Sequence, residues 1–164
     1  MAGTSFIEAE DSLTGFGYYQ YEITSTFAVR DFLYDCQETD CGYDWPDGGV
    51  ELVYAGPHCH APSCLGMELY NDDSGEVLCS MKPIYGTGDP EDKFDEKGYA
   101  ALPPCLWGDG AGDDEDAVLP QRPFLSFGTN LRSVAKQNST FGHFGQMASW
   151  QMRGVLRNST SGVE

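Results

Sequence analysis

No stretch of this sequence carries a persuasive amphipathic-helix pattern, and that narrows the possible folds more than any other feature. Its apolar residues come in short alternating or β-branched runs, separated by turn formers among 20 Gly and 9 Pro. Within residues 16–34, Gly17-Tyr18-Tyr19-Gln20-Tyr21-Glu22-Ile23 and Phe27-Ala28-Val29-Arg30 read as one or two strands. Val50-Glu51-Leu52-Val53-Tyr54 has the composition of a buried strand. The runs 65–70 and 76–81 flank Asn71-Asp72-Asp73-Ser74-Gly75, residues that tolerate left-handed backbone, so together they predict a hairpin. A short strand at Tyr99-Ala100-Ala101-Leu102 stops at Pro103-Pro104, and the runs 131–135 and 147–156 supply the closing strands. Many short strands with frequent turns predict an all-β chain, an antiparallel β-sandwich.

At 164 residues the chain fits one domain with a real core. The expected division is an N-terminal extension over 1–16, the sandwich domain over 17–157 and a tail over 158–164. Nine Lys plus Arg against 26 Asp plus Glu give a formal charge of −17, which repels nucleic acid and anionic membrane surfaces. No run is long and apolar enough for membrane insertion. Cations and neutral or basic partners remain open: a small molecule, a peptide or an extracellular protein. The acidic segments 35–49 and 108–116 read as loops, and the second lacks the residue order of a calcium-binding EF-hand.

Six cysteines form an even set: Cys36, Cys41, Cys59, Cys64, Cys79 and Cys105. Six allow 15 connectivities. Proximity favours Cys36 with Cys41 and Cys59 with Cys64, at the same spacing, which leaves Cys79 with Cys105. The Cys-x-x-Cys spacing of zinc clusters is missing. Asn138-Ser139-Thr140 and Asn158-Ser159-Thr160 are acceptor sequences for N-glycosylation. Disulfides and glycosylation point to secretion, yet the chain opens Met1-Ala2-Gly3-Thr4-Ser5 with no basic-then-apolar leader. The expectation is a secreted glycoprotein represented here by its mature domain or a fragment.

All three histidines fall in two short motifs, His58-Cys59-His60 and His143-Phe144-Gly145-Gln146-Met147. On a strand His58 and His60 project to one face and Cys59 to the other, which casts Cys59 as a disulfide partner rather than a ligand. Imidazoles two residues apart, about 6 to 7 Å at the backbone, can close on one ion. A thioether is a poor ligand for zinc or calcium and a good one for cuprous copper, so a His-x-His pair that meets Met147 leans toward copper. The competing reading makes the histidines surface or hydrogen-bonded residues and Met147 packing opposite Trp150.

The order strand, His58-x-His60, hairpin, Cys79-Ser80-Met81-Lys82-Pro83-Ile84-Tyr85-Gly86-Thr87-Gly88, Lys97-Gly98-Tyr99, Cys105, Asn138-Ser139-Thr140, His143-x-x-x-Met147 resembles the stress-up-regulated nodulin family of plants over roughly residues 17 to 156. That family is in turn similar to the C-terminal copper domain of peptidylglycine and dopamine monooxygenases. The resemblance implies a jelly-roll sandwich that binds copper through His58, His60 and Met147, with His143 as a fourth ligand or outer partner. In the monooxygenases a second copper sits on three histidines of a separate domain, and this chain has no histidines left to build one. The expected function is a secreted copper-binding module with scope for single-copper, monooxygenase-like oxygen chemistry.

The alternative is a disulfide-stabilised extracellular interaction or structural domain whose metal site is vestigial or stabilising. In that reading Tyr43, Trp45 and Trp107 form a partner or carbohydrate surface, or pack at the sandwich edge. A hydrolase is weaker still, because no Gly-x-Ser-x-Gly elbow is present and a triad would have to take a histidine from the metal set.

Overall fold

The computed structural model describes residues 2–10, 17–32, 48–91, 95–110, 119–138 and 146–158. Eleven strands are found among them: β1 (Ala2–Glu10), β2 (Gly17–Ala28), β3 (Gly48–His58), β4 (Cys64–Asn71), β5 (Glu76–Met81), β6 (Ile84–Tyr85), β7 (Ala100–Ala101), β8 (Cys105–Leu106), β9 (Phe124–Ser126), β10 (Asn130–Asn138) and β11 (Ser149–Asn158). A single 3₁₀ turn, Val29–Phe32, follows β2, and no α-helix occurs among the described residues.

The strands form two antiparallel sheets. One has the order β1-β2-β10-β4-β5; the other has β11-β3-β8, with β9 also paired to β3, and β6 and β7 pair separately. Ala2–Glu10, assigned from the sequence to an extension, pair with β2 along their whole length as an edge strand. On β10 Leu131, Ser133, Ala135 and Gln137 are almost fully buried on the core face, while on the other face Arg132 and Lys136 reach solvent and Val134 is buried. Leu69 and Met67 on β4 lie opposite Ser133 and Ala135, both at 0 % exposure. From the second sheet, Val50, Leu52, Ala55, Leu125 and Trp150 join them in one core cluster.

Polar and covalent contacts also tie the layers. Trp150 Nε1 donates to Ser133 Oγ at 2.8 Å, which satisfies two buried polar groups across the core. Cys79 on β5 is bonded to Cys105 on β8, one strand from each sheet, and Cys59 to Cys64 across the turn from β3 to β4. Both pairs match the proximity assignment; Cys36 and Cys41 lie outside the described residues. The architecture is therefore an all-β, antiparallel sandwich stapled by disulfides.

Trp107 follows the packing reading and not that of an exposed partner surface. It is 7 % exposed and belongs to the core cluster, because its backbone N–H bonds Val53 O beside β3 and turns the indole inward. Tyr43 and Trp45 lie outside the described residues.

Candidate metal centre

A register shift on β3 decides which way the histidines face. Val50 and Leu52 point into the core, and unbroken alternation would carry Tyr54, Gly56 and His58 inward with them. Between β3 and β11, however, Gly154 pairs with Leu52 and Arg153 with Tyr54, leaving Val53 as an extra residue on β3. Beyond this bulge Ala55 takes the core position at 0 % exposure, Tyr54 and His58 turn outward, and Gly56 is buried beneath the Tyr54 phenol. The Tyr54 ring lies over Gly56: a Cβ there would sit 2.2 Å from Tyr54 Oη. A side chain at position 56 would require the Tyr54 phenol to shift.

His58 is the last residue of β3 and is exposed; His60 is half-buried at the start of the following turn. Their Nε2 atoms are 3.0 Å apart, with ring centroids at 5.0 Å and planes at 85°. Without a metal, one ring's N–H can donate to the other's lone pair. The same two nitrogens are the atoms that would hold a metal ion.

Cys59, between them, faces inward as its disulfide to Cys64 requires, and packs against the core. The turn Ala61–Ser63 contains a cis Ala61–Pro62 bond and ends at Ser63, which is fully buried. Ser63 Oγ donates to Gln137 Oε1 at 3.1 Å, with His60 O at 3.3 Å sharing the same proton. Gln137 Nε2 in turn donates to Cys59 Sγ at 3.3 Å. The histidine turn is thus fixed from below by β10.

Met147 lies just ahead of β11 and is 46 % exposed. The β3–β11 register ends with Ser149 opposite His58, so Met147 lies two residues beyond the last paired position. Gln146 confirms that the two segments stay adjacent, since its Nε2 donates to Ser63 Oγ at 2.8 Å. The structure brings His58 and His60 together, with Met147 two residues ahead of β11, while His143 lies outside the described residues. No group of three or more His, Cys, Asp or Glu side chains suited to a metal occurs among the described residues. Asn138 and Asn158, the glycosylation candidates, close β10 and β11, both half-buried.

Sequence reasoning missed the polar trio Ser63, Gln137 and Gln146. Only Gln146 stood inside a motif already singled out, and nothing in the composition near Ser63 or Gln137 marks them. No family model, curated protein or solved structure matches this chain.

Proposed function

We propose that this protein is an extracellular copper-binding module. His58 and His60 supply nitrogen ligands, Met147 supplies a thioether that favours the reduced ion, and His143 binds directly or orients a ligand. The observation that carries the reading is the 3.0 Å approach of two Nε2 atoms at the end of β3, with an exposed methionine just ahead of the neighbouring strand β11. Copper held there with an open position would supply redox chemistry toward dioxygen or peroxide, with an outside reductant. The chain's own part is to hold two imidazoles convergent and keep the position beside Tyr54 and Met147 accessible.

The likeness to the nodulin family and to the monooxygenase copper domain belongs to this proposal, as does the jelly-roll form. What supports them is the motif order together with chain connections that cross between sheets from β3 to β4, β9 to β10 and β10 to β11. Two disulfides, and no helix among the described residues long and apolar enough to cross a membrane, are compatible with an extracellular setting.

Copper loading under oxidising and reducing conditions, followed by X-ray absorption, tests the reading. One copper per chain with imidazole ligands and a sulfur contact is expected, lost in His58→Ala. In Met147→Ala, cuprous affinity should fall by at least the roughly tenfold that removal of an outer-shell partner costs, while cupric affinity persists. Absence of stoichiometric copper in the wild type would leave the stapled interaction domain as the better account.

A further inference from the structure

Met147 precedes β11 and shares no strand pairing with the histidine turn, so something other than a sheet ladder must hold it in register. The residue beside it does so. Gln146 Nε2 donates to Ser63 Oγ, Ser63 Oγ donates to Gln137 Oε1, and Gln137 Nε2 donates to Cys59 Sγ. Each group acts as donor to the next, so the chain of bonds runs in one direction from the methionine segment to the cysteine between the two histidines. Ser63 and Gln137 are at 0 % exposure, where such bonds are poorly replaced by water.

Gln146 also keeps its Oε1 buried with no partner among the described residues.

We propose that Gln146 is a positioning residue of the metal centre, which, through Ser63, clamps the 146–148 segment to the histidine turn and so holds the Met147 thioether beside His58 and His60. The proposal rests on the copper reading for its consequence, but the positioning itself can be measured in metal-free protein. Ser63 is the shared element: it touches the carbonyl of His60 and receives Gln146, so moving either partner changes where sulfur sits relative to nitrogen.

The test uses Gln146→Leu, which keeps volume and removes the donor, and Ser63→Ala, which removes the acceptor. With methyl-labelled methionine, the Met147 signal among five is identified by its loss in Met147→Ala. In metal-free wild type its methyl should show contacts to the His58 or His60 ring protons, and both variants should lose them while the remaining methionine signals stay dispersed. On copper loading, cuprous affinity should fall about 10–100-fold in Gln146→Leu, with cupric affinity within about twofold of wild type. Persistence of the methyl-to-imidazole contacts in Gln146→Leu, or their absence from the wild type, overturns the positioning role. So does an equal fall in both copper affinities, which marks a general structural effect. Failure of wild type to bind copper would sink the copper reading, while the metal-free contacts still decide the clamp.

Discussion

Glu68 shows how a sheet face governs a single ionisable group. On the outer side of β4 it accepts hydrogen bonds from Tyr70 Oη at 2.7 Å and Lys136 Nζ at 2.9 Å, while the Arg132 guanidinium lies 4.1 Å from the Tyr70 ring centroid. Partial burial works against its charge, but the two donors and the neighbouring cations outweigh it and hold the carboxyl below its ordinary 4.5. Asp73, bonded by Asn130, and Asp95, bonded by Thr87 and the Asp89 N–H, are lowered from 3.8 in the same way. A depressed carboxylate contributes stability above its unfolded value and loses it as pH falls through the folded one, so the acid limb of stability should begin near pH 4.5 and continue below 3.8. Lys136 is raised above 10.5, chiefly by its bond to Glu68, so its contribution persists below that value and fades only as pH climbs past it. Glu68→Gln should lower stability at pH 7 by roughly 0.5–1 kcal/mol, the range of a partly exposed pair, and flatten the acid limb. Denaturant midpoints from pH 7 to 2 check this: wild type and variant should converge at the acid end, and a constant offset would contradict the assignment.

Elements differ in how much of themselves the sequence exposes, for reasons visible in their pairing. The hairpin of β4 and β5 was legible because Asn71 caps its own turn: Asn71 Oδ1 accepts from the N–H groups of Asp73 and Ser74, and Gly75 adopts φ 77°. The long strands β2, β3, β10 and β11 were legible from β-branched and aromatic runs, but β1 was not. Its residues Ala2-Gly3-Thr4-Ser5 carry little apolar signal, and an edge strand needs only one partner's backbone. β6 to β9 span two or three residues each, too few for any period to register, and exist because β3 or each other offers unpaired backbone. The histidine pair was visible as a motif, yet its outward direction depends on the Val53 bulge, which no residue pattern announced. Two glycines on β3 make that strand testable. A Cβ at Gly49 would lie 2.3 Å from the Leu125 backbone oxygen of β9, which cannot swing aside, whereas at Gly56 it meets only the mobile end of Tyr54. Gly49→Ala should therefore cost about 1–3 kcal/mol as an overpacked contact, and Gly56→Ala clearly less. Thermal unfolding of both variants compares them, and equal losses would contradict the difference in rigidity.

At the scale of the whole molecule, the site is placed where the two layers are fastened. Cys59–Cys64 joins the end of β3 to the start of β4, and His60 lies within the small ring it closes, whereas Cys79–Cys105 links β5 to β8 across 26 residues. Chain-entropy reasoning gives the longer ring the larger effect, about 3–4 kcal/mol against about 2 kcal/mol for the shorter. The consequences for function run the other way. Trp150 to Ser133 and the shared core already hold the layers together near β10 and β11, so loss of the longer ring should lower stability while leaving the imidazole pair in place. Loss of the shorter ring frees the turn that carries His60 and removes the sulfur that Gln137 bonds, so it should disturb the proposed copper site more than the fold. A paired Cys79→Ala, Cys105→Ala variant is expected to unfold at lower denaturant with copper affinity near wild type. The Cys59→Ala, Cys64→Ala pair should show the smaller stability loss and the larger loss of copper affinity. Measuring midpoint and affinity on both separates fastening from positioning, and parallel changes in the two quantities would show that one bond performs both tasks.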